Sequence, residues 1–139
     1  MNIRTSSFVP AGTKVVPELS ALVADVAIAD HISSEVECEW VKIPPTDPVQ
    51  ELGAAISRVR EEYGDRLAGI HELFGLAKQL MKKAKEKCFF VVADHLFTEL
   101  GVGGETVLAM LFDGRNPPYM TYLYLEGAQS FPIKVLIKE

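Results

Sequence analysis

The clearest alternation of polar and apolar residues lies at positions 35–42. Val36, Cys38 and Trp40 occupy every second position, and glutamates stand between them. Because successive side chains of a strand point to opposite faces, this pattern predicts a strand with one face toward the core and one acidic face toward solvent. Two prolines follow, and proline cannot donate a hydrogen bond to a sheet, so we expect the strand to end before them.

Apolar residues three and four positions apart predict helices in the middle of the chain. Asp47 followed by Pro48 is typical of a helix start, and an apolar stripe begins at the next residue. The phase of this stripe persists to residue 84, which would fit one helix over 47–87. Gly64 and three further glycines favour two helices that meet at Gly64, because glycine is a poor helix former.

Lysines are concentrated at the end of this helical segment, at Lys78, Lys82, Lys83, Lys85 and Lys87. Cations there complement the negative end of the helix dipole. A local contact with an anion or a phosphate is the alternative interpretation.

The N-terminal part of the chain has a less regular pattern. The first sixteen residues predict an irregular entry or an edge strand. Pro17 then begins a pattern that favours a helix, with Leu19, Leu22 and Val26 on one face. The run 26–29 would also fit a strand, and periodicity alone does not decide between the two.

Short apolar runs separated by turn residues fill the C-terminal part of the chain. They predict strands at 88–92, 106–112, 119–125 and 131–138, with a helical turn after the first of them. Strands joined by short turns usually pair antiparallel. The predicted fold class is therefore α+β, a mostly antiparallel sheet of about four or five strands with a long helix or a helical pair packed on one face.

Length, charge and cysteine content narrow the classes of protein. A chain of 139 residues with 48% apolar residues fits a single domain, 1–139, with a core of its own. A net charge of −5 argues against nucleic acid as a partner, since phosphate binding needs clustered Lys and Arg. Cys38 and Cys88 lack metal-site spacing and are expected to be small, reduced core residues. Without a signal peptide pattern or a membrane-spanning run, we expect a cytoplasmic protein.

The histidines are the first candidates for chemistry. The segment Ala29–Glu35 resembles Ala93–Glu99, and each contains an Asp-His pair, with His31 in one and His95 beside Asp94 in the other. An imidazole oriented by a carboxylate can act as a general base, and the two pairs, joined by His71, could hold a metal if they met. However, neighbouring residues of a strand point to opposite faces, so neither pair forms a dyad by itself. We expect no metal and no cofactor.

A glycine-rich loop over residues 101–104 is the second candidate. Gly103 and Gly104 could bind an anion through backbone N–H groups. The loop lacks the GK[ST] sequence of a phosphate-binding loop, and a strand is predicted after it, so these glycines also fit a simple helix cap and turn.

The length of the helical stripe favours an interaction or assembly module without catalytic activity, a homodimer or a partner of another protein. The expected interface residues are Leu52, Ile56, Val59 and Tyr63 on the helix, and Tyr122 and Tyr124 on the sheet. The alternative is a small-molecule-binding protein or enzyme with a site around Asp94, His95 and the loop Gly101–Gly104. The acidic strand face suggests a third possibility, a basic protein partner.

Overall fold

A computed structural model describes residues 1–80, 87–113 and 117–139 of the chain. These residues form seven strands and three α-helices. The strands are β1 (Asn2–Arg4), β2 (Lys14–Val15), β3 (Glu35–Ile43), β4 (Cys88–Phe97), β5 (Thr106–Phe112), β6 (Tyr119–Tyr124) and β7 (Ile133–Lys138). The helices are α1 (Ser20–Ile28), α2 (Leu52–Tyr63) and α3 (Ile70–Leu80), and short 3₁₀ turns lie at Pro17–Leu19 and Gly64–Arg66.

One mixed sheet contains all seven strands, in the order β1-β3-β7-β4-β5-β6-β2. Most neighbours are antiparallel, but β7 runs parallel to β4, and β2 runs parallel to β6. The expectation of a mostly antiparallel sheet with four or five strands is therefore wrong, because the sheet is mixed, with two parallel pairs, and has seven strands. β1 and β2 are too short to give a two-residue period, and β7 does not pair with β6, the strand that precedes it.

The chain between β6 and β7 crosses one face of the sheet, so two strands, β4 and β5, lie between β6 and β7. The same segment bonds to the start of α2. Leu52 and Gly53 donate their backbone N–H groups to the carbonyls of Gly127 and Leu125, each at 2.8 Å. The first turn of a helix has N–H groups without a partner inside the helix, and the crossing segment provides partners for them. The helix consequently begins at Leu52 and not beside Pro48.

Helices cover both faces of the sheet, so the expectation of a helical pair on one face is also wrong. The break at Gly64 is confirmed. It separates two helices that pack on opposite faces, although their apolar stripes keep the same phase. On one face, α3 and α1 cover a cluster that we call the α3-side core, which includes Ile3, Leu19, Cys38, Leu73, Phe74, Leu76, Phe90, Val92, Leu108, Met110 and Leu136. On the other, α2 covers the α2-side core, which includes Leu52, Ile56, Val59, Val91, Ala93, Val107, Ala109, Ile133 and Val135.

Several local predictions can be compared with the elements. The strand at 35–42 and the strand at 106–112 are confirmed within one residue, and the segment from Pro17 forms helix as favoured. β4 continues to Phe97, so the helical turn expected after residue 92 is absent there. Lys82, Lys83 and Lys85, and the turn residues 114–116, lie outside the described residues. Within the described residues, no helix has the length and apolar character needed to cross a membrane.

Candidate functional site

A groove of about 550 Å³ lies where the residues after β1, the loop before β3 and the end of α3 meet. We call it the N-terminal groove. Its lining is Asn2, Ile3, Arg4, Thr5, Ser6, Ser7, Phe8, His31, Ser33, Glu35, Gly75, Lys78 and Gln79. This volume is within the usual range of sites for small molecules, about 300–1,000 Å³.

Thr5 ties two walls of the groove together. Its backbone N–H donates to the carbonyl of Ser34 at 2.9 Å, and its hydroxyl accepts the N–H of Ser34 at 3.0 Å. Ser33 donates its hydroxyl to the carbonyl of Thr5 at 2.7 Å. These bonds satisfy the buried polar groups of Thr5 and hold the loop before β3 against the N-terminal segment.

Two histidines stack beneath this connection. The rings of His31 and His71 are parallel to within 1°, with centroids 3.7 Å apart. Nε2 of His31 lies 2.9 Å from the hydroxyl of Thr5. A hydroxyl can donate to an unprotonated nitrogen or accept from a protonated one, so this contact suits either state of the ring. Nδ1 of His71 donates to the carbonyl of Ser6 at 3.1 Å, which fixes the second ring.

Gly75 lets α3 approach the N-terminal segment closely. A Cβ atom at this position would overlap the backbone carbonyl of Arg4. The close contact brings Lys78 and Gln79, one turn later on the same helix, to the wall of the groove. Nε2 of Gln79 donates to the carbonyl of Asn2 at 3.0 Å and secures that end.

The mouth of the groove carries charge and one large apolar side chain. Arg4 lies 3.4 Å from the Glu35 carboxylate in an exposed ion pair. Lys78 is exposed and has no ion-pair partner in the described part of the chain. Phe8 is 58% exposed, which is high for a phenylalanine. The lining of the groove therefore includes two cations, one carboxylate and an aromatic ring.

The site expected around Asp94 and His95 is placed elsewhere, on the end of β4. Both residues line a pocket of only about 80 Å³, with Leu22, Ile70, Val92, Phe97 and Leu108. Burial, followed by the charge of Glu72, raises the pKa of the Asp94 carboxyl group. His95 stacks edge-on against Phe97, with ring centroids 4.4 Å apart.

The glycine loop does not line the pocket of Asp94 and His95. Gly101, Gly103 and Gly104 all have positive φ angles, which favours glycine for conformational reasons. A Cβ at Gly101 would overlap the hydroxyl of Tyr124, and the N–H of Val102 donates to the same hydroxyl at 3.0 Å. Gly101 thus allows the turn to lie close to the tyrosines, whereas Gly103 and Gly104 serve only its backbone conformation.

The residues expected at an interface are distributed between core and edge. Leu52, Ile56 and Val59 are at most 4% exposed and belong to the α2-side core, so their side chains are not available to a second copy of the folded chain. Tyr63 is half-buried below the guanidinium of Arg66, 5.5 Å from its ring centroid. Tyr122 packs on the α3-side core, with its ring centroid 5.6 Å from that of Tyr124.

Cys38 and Cys88 are not joined by a disulfide. Cys38 is buried in the α3-side core, and burial raises the pKa of its thiol to about 11. A thiol so rarely ionised is a poor nucleophile. Within the described ranges, no group of three or more His, Cys, Asp and Glu side chains could hold a metal ion.

Sequence reasoning selected His31, as part of an Asp-His pair, and noted His71 as a further ligand of a possible metal site, but it did not predict that the two rings stack. Thr5 and Ser33 were missed because ordinary hydroxyl residues in loops carry no periodic signal. The lysine run gave a partial signal, since Lys78 belongs to it and an anion contact was its alternative interpretation.

Comparison of the chain with protein family models, with curated proteins and with solved structures finds no match in any of the three.

Proposed function

We propose that this protein binds a small organic anion, with an aromatic or apolar part, in the N-terminal groove. The observation that carries the proposal is the convergence of Lys78, Arg4, His31 and Phe8 on one groove of about 550 Å³. Ligand sites typically combine apolar surface with a few placed polar groups that fix orientation.

The charges of the groove favour an anion over a cation. Arg4 is shared with Glu35, which leaves Lys78 as the cation to meet a carboxylate or phosphate group. Phe8 offers its exposed ring for stacking or apolar contact. His31 can add a hydrogen bond through Nδ1, since its Nε2 already faces Thr5.

Binding fits the groove better than nucleophilic catalysis does. Thr5 lies beside an imidazole, as a nucleophile lies beside its general base, but Thr5 is only 4% exposed. Its hydroxyl also accepts a backbone N–H from Ser34. A nucleophile must reach its substrate, and this hydroxyl instead maintains the wall of the groove.

Phenyl phosphate and inorganic phosphate, added separately to ¹⁵N-labelled protein, test the proposal by NMR. Phenyl phosphate should shift the amide signals of Phe8, His31 and Lys78, with a Kd in the millimolar range or tighter, as expected for a fragment-sized ligand. Inorganic phosphate should bind more weakly because it cannot contact Phe8. Lys78→Gln should weaken phenyl phosphate at least about fivefold, the loss expected for a charge-assisted contact.

The matched control is Lys14→Gln, which removes another exposed lysine that does not line the groove. It should leave the affinity unchanged. Shifts that occur elsewhere in the protein, or equal losses in the two variants, would overturn the proposal, because either result would mean that the anion does not bind at Lys78.

A further inference from the structure

The outer edge of β3 is only partly covered by its neighbour β1. β1 pairs with residues 35–37 of β3, and the next residue, Cys38, exchanges hydrogen bonds with Met1. The Cys38 N–H donates to the carbonyl of Met1, and the Met1 ammonium donates to the carbonyl of Cys38, both at 2.8 Å. Beyond this point β3 continues for five residues, to Ile43.

The backbone direction of these five residues follows from the alternation of an antiparallel pair. Glu37 bonds toward β7, since it accepts the N–H of Glu139 at 2.9 Å, whereas Cys38 bonds toward β1. Continuing the alternation, Glu39, Val41 and Ile43 bond toward β7. Trp40 and Lys42 therefore direct their N–H and C=O groups outward, and no described residue bonds to them on that side.

The geometry points to a second copy of this chain as the occupant of this edge, with the two β3 strands antiparallel and Val41 opposite Val41. In this register Trp40 of each copy faces Lys42 of the other. Each such pair exchanges two backbone hydrogen bonds, so the two pairs satisfy all the outward groups of residues 40 and 42 in both copies. The two sheets would join into one continuous sheet around a two-fold axis.

The neighbouring registers are less favourable. Placing Trp40 opposite Trp40 would require Cys38, whose backbone groups are already bonded to Met1. Placing Lys42 opposite Lys42 would bring like charges together and set Trp40 against Pro44, which has no N–H. The backbone bonds of Cys38, the charge of Lys42 and the missing N–H of Pro44 therefore favour the register centred on Val41.

The side chains agree with this register. Trp40 and Lys42 lie on the same face of β3, so each indole would have an ammonium group of the other copy beside it. The Trp40 ring already attracts one cation, since Nζ of Lys134 lies 5.6 Å from a ring centroid of Trp40. On the opposite face the two Val41 side chains would meet, and both are half-buried in the single copy.

Sedimentation of the full chain tests the proposal, because the interface is small and should dissociate in the micromolar range. Between about 10 and about 500 μM the mass should rise from 15.3 kDa toward twice that value. Lys42→Pro removes one outward N–H per copy and fills the edge with a proline ring, without removing a bond to β7. This variant should remain at the mass of one chain over the same range.

Lys42→Ala is the matched variant, since it removes the ammonium group but keeps the N–H. It should still dimerise, with weaker affinity. Circular dichroism verifies that both variants are folded. At high protein concentration, the Trp40 amide hydrogen should exchange more slowly in the wild type and in Lys42→Ala, but not in Lys42→Pro. A wild-type mass that stays at one chain throughout, or a Lys42→Pro variant that dimerises as the wild type does, would overturn the proposal. The groove is not involved, so this result does not depend on ligand binding.

Discussion

Among single residues, Asp94 is a carboxylate whose ionisation opposes folding near neutral pH. Asp94 as a whole is exposed, but its carboxyl group lies close to Gly69, and partial desolvation there and the nearby charge of Glu72 raise its pKa in the folded chain. Between the ordinary carboxyl pKa of about 4 and the raised value, the folded chain holds more protons than the unfolded chain. The free energy of unfolding therefore decreases as the pH rises through this window, as far as Asp94 is concerned.

Asp94→Asn should remove this penalty, because the amide has the same shape and no charge. We expect the variant to be more stable than the wild type at pH 7, with the difference shrinking as the pH falls from the raised pKa toward about 4 and absent below that pH. Urea denaturation of the variant and the wild type at a series of pH values measures the difference in stability and its change with pH. Asp65→Asn, in the exposed turn between α2 and α3, is the control. A loss of stability at pH 7 in Asp94→Asn would show that the charged form is needed.

At the scale of elements, the contact between α3 and β1 is the one that forms the groove. Replacing Gly75 by alanine raises helix propensity by about 1 kcal/mol. The added methyl group would overlap the backbone carbonyl of Arg4, which cannot move without shifting β1. Overpacking of this kind costs about 1–3 kcal/mol, so we expect Gly75→Ala to lower the free energy of unfolding and to weaken phenyl phosphate binding.

Gly69→Ala is the comparison that separates a rigid obstacle from a flexible one. Its Cβ would lie 2.8 Å from a carboxylate oxygen of Asp94, at the end of a side chain that can rotate away. Urea denaturation measures the free energy of unfolding of both variants, and Gly69→Ala should lower it less than Gly75→Ala does. Equal effects would mean that the close approach of α3 to β1 has no special role.

The sequence could predict elements whose signal is local. β3 alternates because one of its faces is acidic and exposed, and β5 is apolar from Val107 to Phe112 because helices cover both faces of the sheet. The break at Gly64 was predictable from glycine content. The position of β7 between β3 and β4 was not, because it depends on a crossing segment that bonds to the start of α2. The groove was not predictable for the same reason, since Thr5, His31 and His71 meet only through the tertiary fold.

At the scale of the whole molecule, the two cores share the same strands. Phe90 and Val92 of β4 face the α3-side core, and Val91 and Ala93, between them, face the α2-side core. A loss of packing on one face therefore disturbs strands that the other face needs. This sharing is the physical argument for one domain over residues 1–139, which stays a prediction.

Two substitutions on opposite faces test that prediction. Ile56 and Leu76 are fully buried, in the α2-side core and the α3-side core respectively. Replacing either by alanine should lower the free energy of unfolding by about 2–5 kcal/mol. Trp40 packs on the α3-side core, so its fluorescence reports unfolding on the face opposite to Ile56.

If the chain is one cooperative unit, Ile56→Ala should shift the fluorescence transition of Trp40 and the circular dichroism transition by the same amount of urea. Ile28→Ala, at a position 83% exposed, should change the free energy of unfolding by no more than about 0.5 kcal/mol when followed by either signal. A Trp40 transition unchanged in Ile56→Ala would mean that the two faces unfold separately. If the fluorescence and circular dichroism transitions shift together in Ile56→Ala and also in Leu76→Ala, the shared strands transmit the loss of packing from either helix layer to the whole sheet. The N-terminal groove would then lose its support together with the sheet.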